Sequence, residues 1–323
     1  MTHTPVPYDP ELEEGLAAFV ELVEGIPLRA DTIQVNRAHF ATIVPPIEQI
    51  VAGRPVEVEH RTVPGPVGSP DVAVTILRPA SGATDAVGFY GIHGGGMVLG
   101  NRLFGIDELI DHVLRFDAVA VSVEYRLAPE NPAPAGVEDC YAGLLWMAQH
   151  TAELGIDPER IIVTGASAGA GLSAGVALLA RDRSGPTIAG QLLNSPMIDD
   201  RNETVSSRQY DGIGAWDRNN NDTGWNALLG ASRRTDAVSP YVAPARATDL
   251  SGLPPAYIEV GAAEVFRDEA IDYATRIWAT GGQAELHVWS GAYHGFSGFS
   301  PNALVSQTAN ATRLSWIRRI LAR

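Results

Sequence analysis

The chain has 323 residues, 45% hydrophobic and 19% charged, a globular composition well away from the regime of disordered chains. Its net charge is −15 and all 23 basic residues are arginine, which argues against nucleic acid and anionic membrane as partners, since both need a positive patch. The single cysteine, Cys140, permits no internal disulfide and reads as a packed thiol; no apolar run approaches a membrane span and residues 1–10 lack the layout of a secretory signal, so a cytoplasmic protein is expected.

From Glu11 to Glu24, Leu12, Leu16, Phe19, Val20 and Val23 recur at helical spacing behind acidic first-turn residues that suit the helix dipole. A second helix is expected from Asp31, where Asp31 and Gln34 resemble a capping box, ending before Pro45 and Pro46. Then Val56 to Val63 and Val72 to Leu77 alternate as antiparallel edge strands would, and Ala86 to Ile92 is nearly all apolar. Beyond them, buried-type strands at Ala118 to Val123, Ile161 to Thr164, Ile188 to Leu193, Ala256 to Val260 and Ala284 to Trp289 alternate with helical patterns. Those helices fall near Ile106 to Val113, Val137 to His150, Ala168 to Arg181, Asp268 to Thr280 and Asn302 to Leu321. Such alternation predicts an α/β fold with a mainly parallel sheet, helices on both faces, and a ligand site at the carboxyl edge of the strands. One interval breaks the rhythm: between Pro196 and Pro254, Asn219-Asn220-Asn221-Asp222 with Gly212, Gly214 and Gly224 reads as a polar, turn-rich insertion over that edge, with a helix near Trp225 to Leu229.

The chemistry centres on Ile161-Ile162-Val163-Thr164-Gly165-Ala166-Ser167-Ala168-Gly169, which reads as strand, sharp turn and helix, a turn that lifts the Ser167 hydroxyl out of the backbone. A serine needs a base, and the base needs an orienting acid. Of eight histidines, only His294 follows a core strand within a glycine-flanked loop, Gly291-Ala292-Tyr293-His294-Gly295-Phe296. His3, His39, His60, His112, His150 and His287 fall on termini, helices or strand faces, where structural roles are expected. The acid at the end of the preceding strand is Glu264, with Asp268 as the fallback. The order serine, acid, histidine is that of α/β-hydrolase sheets. A tetrahedral oxyanion needs backbone donors, and His93-Gly94-Gly95-Gly96 directly follows the Ala86 to Ile92 strand; Gly94, Gly95 and Ala168 are the expected donors, with His93 and Gly96 supporting the loop. A phosphate-binding loop is the rival reading of this glycine run, but it lacks the Walker lysine because the chain has no lysine.

Together with Tyr125-Arg126-Leu127-Ala128-Pro129-Glu130, Glu138-Asp139, Arg267-Asp268-Glu269 and Tyr293-His294-Gly295-Phe296, these motifs resemble the hormone-sensitive lipase family of α/β-hydrolases, in its bacterial carboxylesterase branch. The resemblance implies a mostly parallel eight-stranded sheet with a helical cap. The cap would be built from residues 1–50 and 199–235, over a catalytic core of residues 51–198 and 236–323. It further implies hydrolysis of small short-acyl esters without a cofactor or metal, and a second copy of the chain docked through the last strand. The same family includes non-catalytic small-ligand receptors that have lost the histidine, and one triad also serves amidase, lactonase and deacetylase chemistry. Three positions depart from the family's pattern: Ala166 stands where Asp is usual, Glu264 where Asp is common, and Met97 where an aromatic often follows the glycine run. Met97, Phe40, Trp216 and Trp225 are the candidates for the substrate wall.

Overall fold

In a computed structural model, which describes residues 3–23 and 26–322, the strands are β1 (Val56–Val63), β2 (Val72–Pro79), β3 (Ala86–Ile92), β4 (Val119–Glu124), β5 (Ile156–Ala166), β6 (Gly190–Asn194), β7 (Ala256–Gly261) and β8 (Ala284–Trp289). They form one eight-stranded sheet in the order β1-β2-β4-β3-β5-β6-β7-β8, parallel from β4 through β8 and antiparallel at β1 and β2. This is an α/β-hydrolase fold. Every residue of β3 and β7 is buried, as expected of parallel strands covered on both faces, and their β-branched and aromatic side chains suit a pleated, packed surface. On one face, helices Ile106–Phe116 and Leu304–Leu321 pack on Phe89, Leu192 and Tyr257; on the other, helices Ala135–Gln149, Ala168–Asp182 and Arg267–Ala279 cover Tyr90, Val163 and Ile258. Each large side chain so enclosed contributes about 1.5–3 kcal/mol of burial. Among the described residues no helix is long and apolar enough to cross a membrane. Cys140 is buried, and burial pushes its thiol pKa up, which makes it unreactive.

Three local expectations are corrected, and one lies outside the described residues. Strand β2 is not at the edge: it pairs antiparallel with both β1 and β4, so its side chains are buried at six of eight positions instead of alternating. The first helix is Pro10–Leu22, and the expected end at Glu24 lies outside the described residues. The Asp31/Gln34 box does not form, because the N-cap of helix Ile33–Ile43 is Thr32, which puts Gln34 one position too early. Thr32 Oγ1 instead accepts from the Arg29 amide and donates to the Pro27 carbonyl, while the Gln34 amide donates to Glu130. The asparagine run is not a loop: it lies in the first turns of helix Arg218–Leu229, whose N-cap Asp217 accepts from the Asn220 amide at 2.8 Å.

The parallel strands bring the loops that follow β3, β5, β7 and β8 to one edge. Helices Pro10–Leu22, Ile33–Ile43 and Arg218–Leu229 lie over that edge, contributing residues to one cavity there. The first is pinned directly to the histidine loop, since the Asp9 amide donates to the Gly291 carbonyl at 3.0 Å.

Candidate active site

Ser167 sits between the end of β5 and the first turn of helix Ala168–Asp182 with φ 59° and ψ −122°, a region non-glycine residues rarely adopt. Neighbouring backbone holds it there: its amide donates to Asn194 O at 2.8 Å and its carbonyl accepts from the Met197 amide at 3.1 Å. The flanking glycines are sterically obligatory. A Cβ on Gly165 would stand 2.4 Å from the Gly169 carbonyl carbon, and one on Gly169 would stand 2.0 Å from the Ile92 carbonyl oxygen. The elbow is therefore jammed between β3 and its own helix, which leaves the serine side chain facing the cavity.

His294 Nε2 lies 3.0 Å from Ser167 Oγ, and His294 Nδ1 lies 2.6 Å from Glu264 Oε2. Glu264 is 1% exposed, and its other oxygen accepts from Ser195 Oγ at 2.8 Å and from the Gly261 amide at 2.7 Å. Both carboxylate oxygens are thus fixed, one by neutral donors and one by the imidazole. Asp268, the fallback, points elsewhere: it accepts from the Ser206 amide at 2.7 Å and from Arg267 Nε at 2.7 Å. The Phe266 ring meets His294 edge-on at 5.1 Å between centroids.

Gly94 and Gly95 line the same cavity as Ser167, and Ala168 is the first residue of the helix behind it. Their three amides have no intramolecular partner among the described residues, as oxyanion donors require. Gly95 has φ 116°, and a side chain there would stand 2.2 Å from the Leu99 carbonyl oxygen. Gly96 has φ 60° and abuts the Trp216 ring, where a Cβ would come within 2.3 Å of Cη2. His93 does not face the cavity. It is buried, stacked on Tyr125 at 4.2 Å, and its Nδ1 donates to the Gly94 carbonyl at 2.8 Å; burial lowers its pKa, so the ring braces the glycine loop as a neutral group.

The cavity above Ser167 has a volume of about 860 Å³. Of the four wall candidates, Phe40 and Trp216 line it, whereas Met97 (2% exposed) and Trp225 (0% exposed) belong to the core beneath. Phe19, Phe104 and Phe299 line it too, and nothing in the sequence around them marks them as wall residues. Phe104 sits in the loop between β3 and the next helix with nothing local to mark it, and Phe19 and Phe299 meet only across the fold at 4.2 Å. Ser195 was missed as well; its position at the end of β6, beside β7, was the available signal. Among the described residues no cluster of His, Cys, Asp and Glu could hold a metal.

A parallel sheet whose carboxyl edge carries a strained serine, a buried acid and a histidine in that chain order is the arrangement of a serine hydrolase of the α/β-hydrolase class. The chain belongs to the alpha/beta hydrolase fold family, whose model matches residues 89–298, and within it to the hormone-sensitive lipase type. It is 32% identical to carboxylesterase NlhH of Mycobacterium tuberculosis over 97% of both chains, and 38% identical to carboxylic ester hydrolase LipN of the same species over 82% of this chain and 70% of that one. Among solved structures it is similar to a bacterial heroin esterase, with TM-score 0.89 and 36% identity, covering 97% of this chain and 98% of that chain. It is also similar to esterase LipW from Mycobacterium marinum, with TM-score 0.86 and 31% identity, covering 98% and 99%.

Proposed function

We propose that the protein is a serine carboxylesterase that hydrolyses small short-acyl esters through Ser167, His294 and Glu264 by way of an acyl-enzyme. The chain is a carboxylic ester hydrolase by its family and relatives; the triad and the acyl preference are the added reading. The observation that carries it is the unbroken chain of contacts from Glu264 through His294 to Ser167 at the floor of a cavity.

In this reading the Ser167 hydroxyl attacks the ester carbonyl while His294 Nε2 takes its proton. Glu264 holds the Nδ1–H tautomer and stabilises the imidazolium. The amides of Gly94, Gly95 and Ala168 receive the negative charge as it forms on the carbonyl oxygen, where preorganised donors act most strongly. His294 then protonates the departing alkoxide. Water repeats the sequence on the acyl-enzyme, returning the acid and free Ser167. Residues 1–50 and 199–235 act as the cap, and residues 51–198 and 236–323 as the catalytic core.

Ser167→Ala is expected to lower turnover of p-nitrophenyl acetate by about 10⁴-fold or more, and to abolish covalent labelling by a fluorophosphonate. Turnover retained in that variant would overturn the assignment, and an unlabelled wild-type protein would point instead to a ligand-binding pocket.

A further inference from the structure

The sheet order puts two aromatic pairs on opposite sides of Ser167. β5, which ends in the nucleophile, has β3 and β4 on one side and β6, β7 and β8 on the other. On the β3 side Phe104 leads out of the loop after β3 and meets Phe40 edge to face at 4.6 Å. Phe104 stands close to the nucleophile: a Cβ built on Gly94 would lie 3.5 Å from Ser167 Cβ and 3.7 Å from Phe104 Cε1. On the β8 side Phe299 lies against the residue that follows the base, since a Cβ on Gly295 would meet Phe299 Cε2 at 2.7 Å. Its ring packs on Phe19 of the first helix at 4.2 Å. All four rings line the cavity, and Phe40 is the most enclosed of them at 9% exposed.

The reaction assigns the two sides. In the tetrahedral intermediate one substituent points at the Gly94, Gly95 and Ala168 amides, and the leaving oxygen must lie within proton reach of His294 Nε2. His294 enters from the β8 side, so the alcohol portion lies there and the acyl portion lies toward β3. From this we infer that Phe19 and Phe299 form the alcohol-binding wall, fitted to planar aromatic alcohols, while Phe40 and Phe104 close the acyl side and limit acyl length. The preferred substrates are then short-acyl esters of aromatic alcohols, a class whose rings can stack in the offset and edge-on geometries the two phenyl rings offer. A cavity of about 860 Å³ has room for such an alcohol beside a short acyl group. The inference rests on the carboxylesterase reading above.

The test is a double dissociation on kcat/KM. Wild type, Phe299→Leu and Phe104→Leu are assayed with 2-naphthyl acetate against ethyl acetate, which share one acetyl-enzyme, and with phenyl acetate against phenyl hexanoate, which share one alcohol. Phe299→Leu is expected to lower the naphthyl-to-ethyl ratio about tenfold, the scale of one lost aromatic contact plus its area, and to leave the acetate-to-hexanoate ratio within twofold. Phe104→Leu is expected to do the reverse, raising hexanoate relative to acetate. Phe19→Leu repeats the first result from a separate helix, so a folding defect in one variant does not decide the matter. An unchanged naphthyl-to-ethyl ratio in both Phe299→Leu and Phe19→Leu, or equal movement of both ratios, would overturn the inference. Fluorophosphonate labelling of Ser167 is read in every variant, and its absence from wild type would count against the esterase reading and not against the placement of the walls.

Discussion

Two buried glutamates, Glu259 on β7 and Glu264 in the loop beyond it, are held in opposite ways. Glu264 takes only neutral donors on one oxygen, Ser195 Oγ and the Gly261 amide, and presents the other to His294. Glu259, fully buried on the strand itself, is gripped by a permanent cation: both Nε and a terminal nitrogen of Arg313 donate to its Oε1, while Tyr257 Oη and Trp289 Nε1 donate to its Oε2. Arg313 also reaches Glu108 at 2.6 Å, so this second cluster ties helices Ile106–Phe116 and Leu304–Leu321 to the sheet. A carboxylate saturated by a guanidinium is committed to structure. One balanced by an imidazole can respond when that imidazole gains a proton, which is what a triad acid must do.

The contrast breaks or stands on paired substitutions. Glu264→Gln keeps an oxygen for Ser195 and Gly261 but sets an amide against His294, favouring the wrong tautomer; kcat on p-nitrophenyl acetate is expected to fall by about 10³–10⁴-fold with the fold intact by circular dichroism. Asp268→Asn, placed on Ser206 and Arg267, is expected to change kcat by less than about tenfold. A result in the opposite order would move the acid to Asp268.

At the other glutamate the expected loss is in stability. Glu259→Gln leaves the Arg313 charge incompletely paired in a 5% exposed site, which costs about 3–5 kcal/mol in unfolding free energy by urea titration. The folded fraction of that variant should still be labelled at Ser167 by a fluorophosphonate. Full stability with lost labelling would show that the cluster serves the triad and not the scaffold.

The same contrast explains what was legible in the sequence. Ser167 and Glu264 follow central strands and His294 follows β8 at the sheet's edge, and once the strands are found a parallel sheet brings their ends together; the glycines at 165 and 169 are there because backbone has to pass backbone. Such constraints are local and leave marks in composition. Strand β2 was misplaced at the edge because alternation says nothing of a second neighbour, and only the crossover to β4 buries it. The asparagine run looked like a turn because its helix gains less from intrinsic propensity than from the Asp217 cap and from Thr223 Oγ1 donating to the Leu28 carbonyl across the cavity. Trp225 and Met97 were indistinguishable from wall residues, since an apolar side chain above the sheet edge carries no sign of which way the backbone turns it. Glu259, Arg313 and Glu108 lie far apart along the chain, and nothing in their local pattern announced the cluster.

The smallest of the expected effects lies in the scaffold cluster and is read through pH. His112 faces Glu108, Asp111, Arg115 and Arg313, and stacks near Phe89 and Phe116. Burial lowers its pKa from 6.5 to about 4, with the arginines adding to the shift and the carboxylates opposing it. The folded state therefore holds a neutral ring where the unfolded chain takes up a proton below about pH 6.5, so the unfolded state binds more protons and stability rises with pH through this window. The contribution is complete above about pH 6.5, is lost as the pH falls toward 4, and amounts to about 2 kcal/mol between pH 7 and pH 5. His112→Phe keeps the ring contacts, removes two ring nitrogens that lack hydrogen-bond partners, and removes the titration. Urea midpoints measured at pH 7 and pH 5 should draw closer together in the variant than in wild type; parallel pH slopes would mean that the acid sensitivity of the fold comes from groups other than His112.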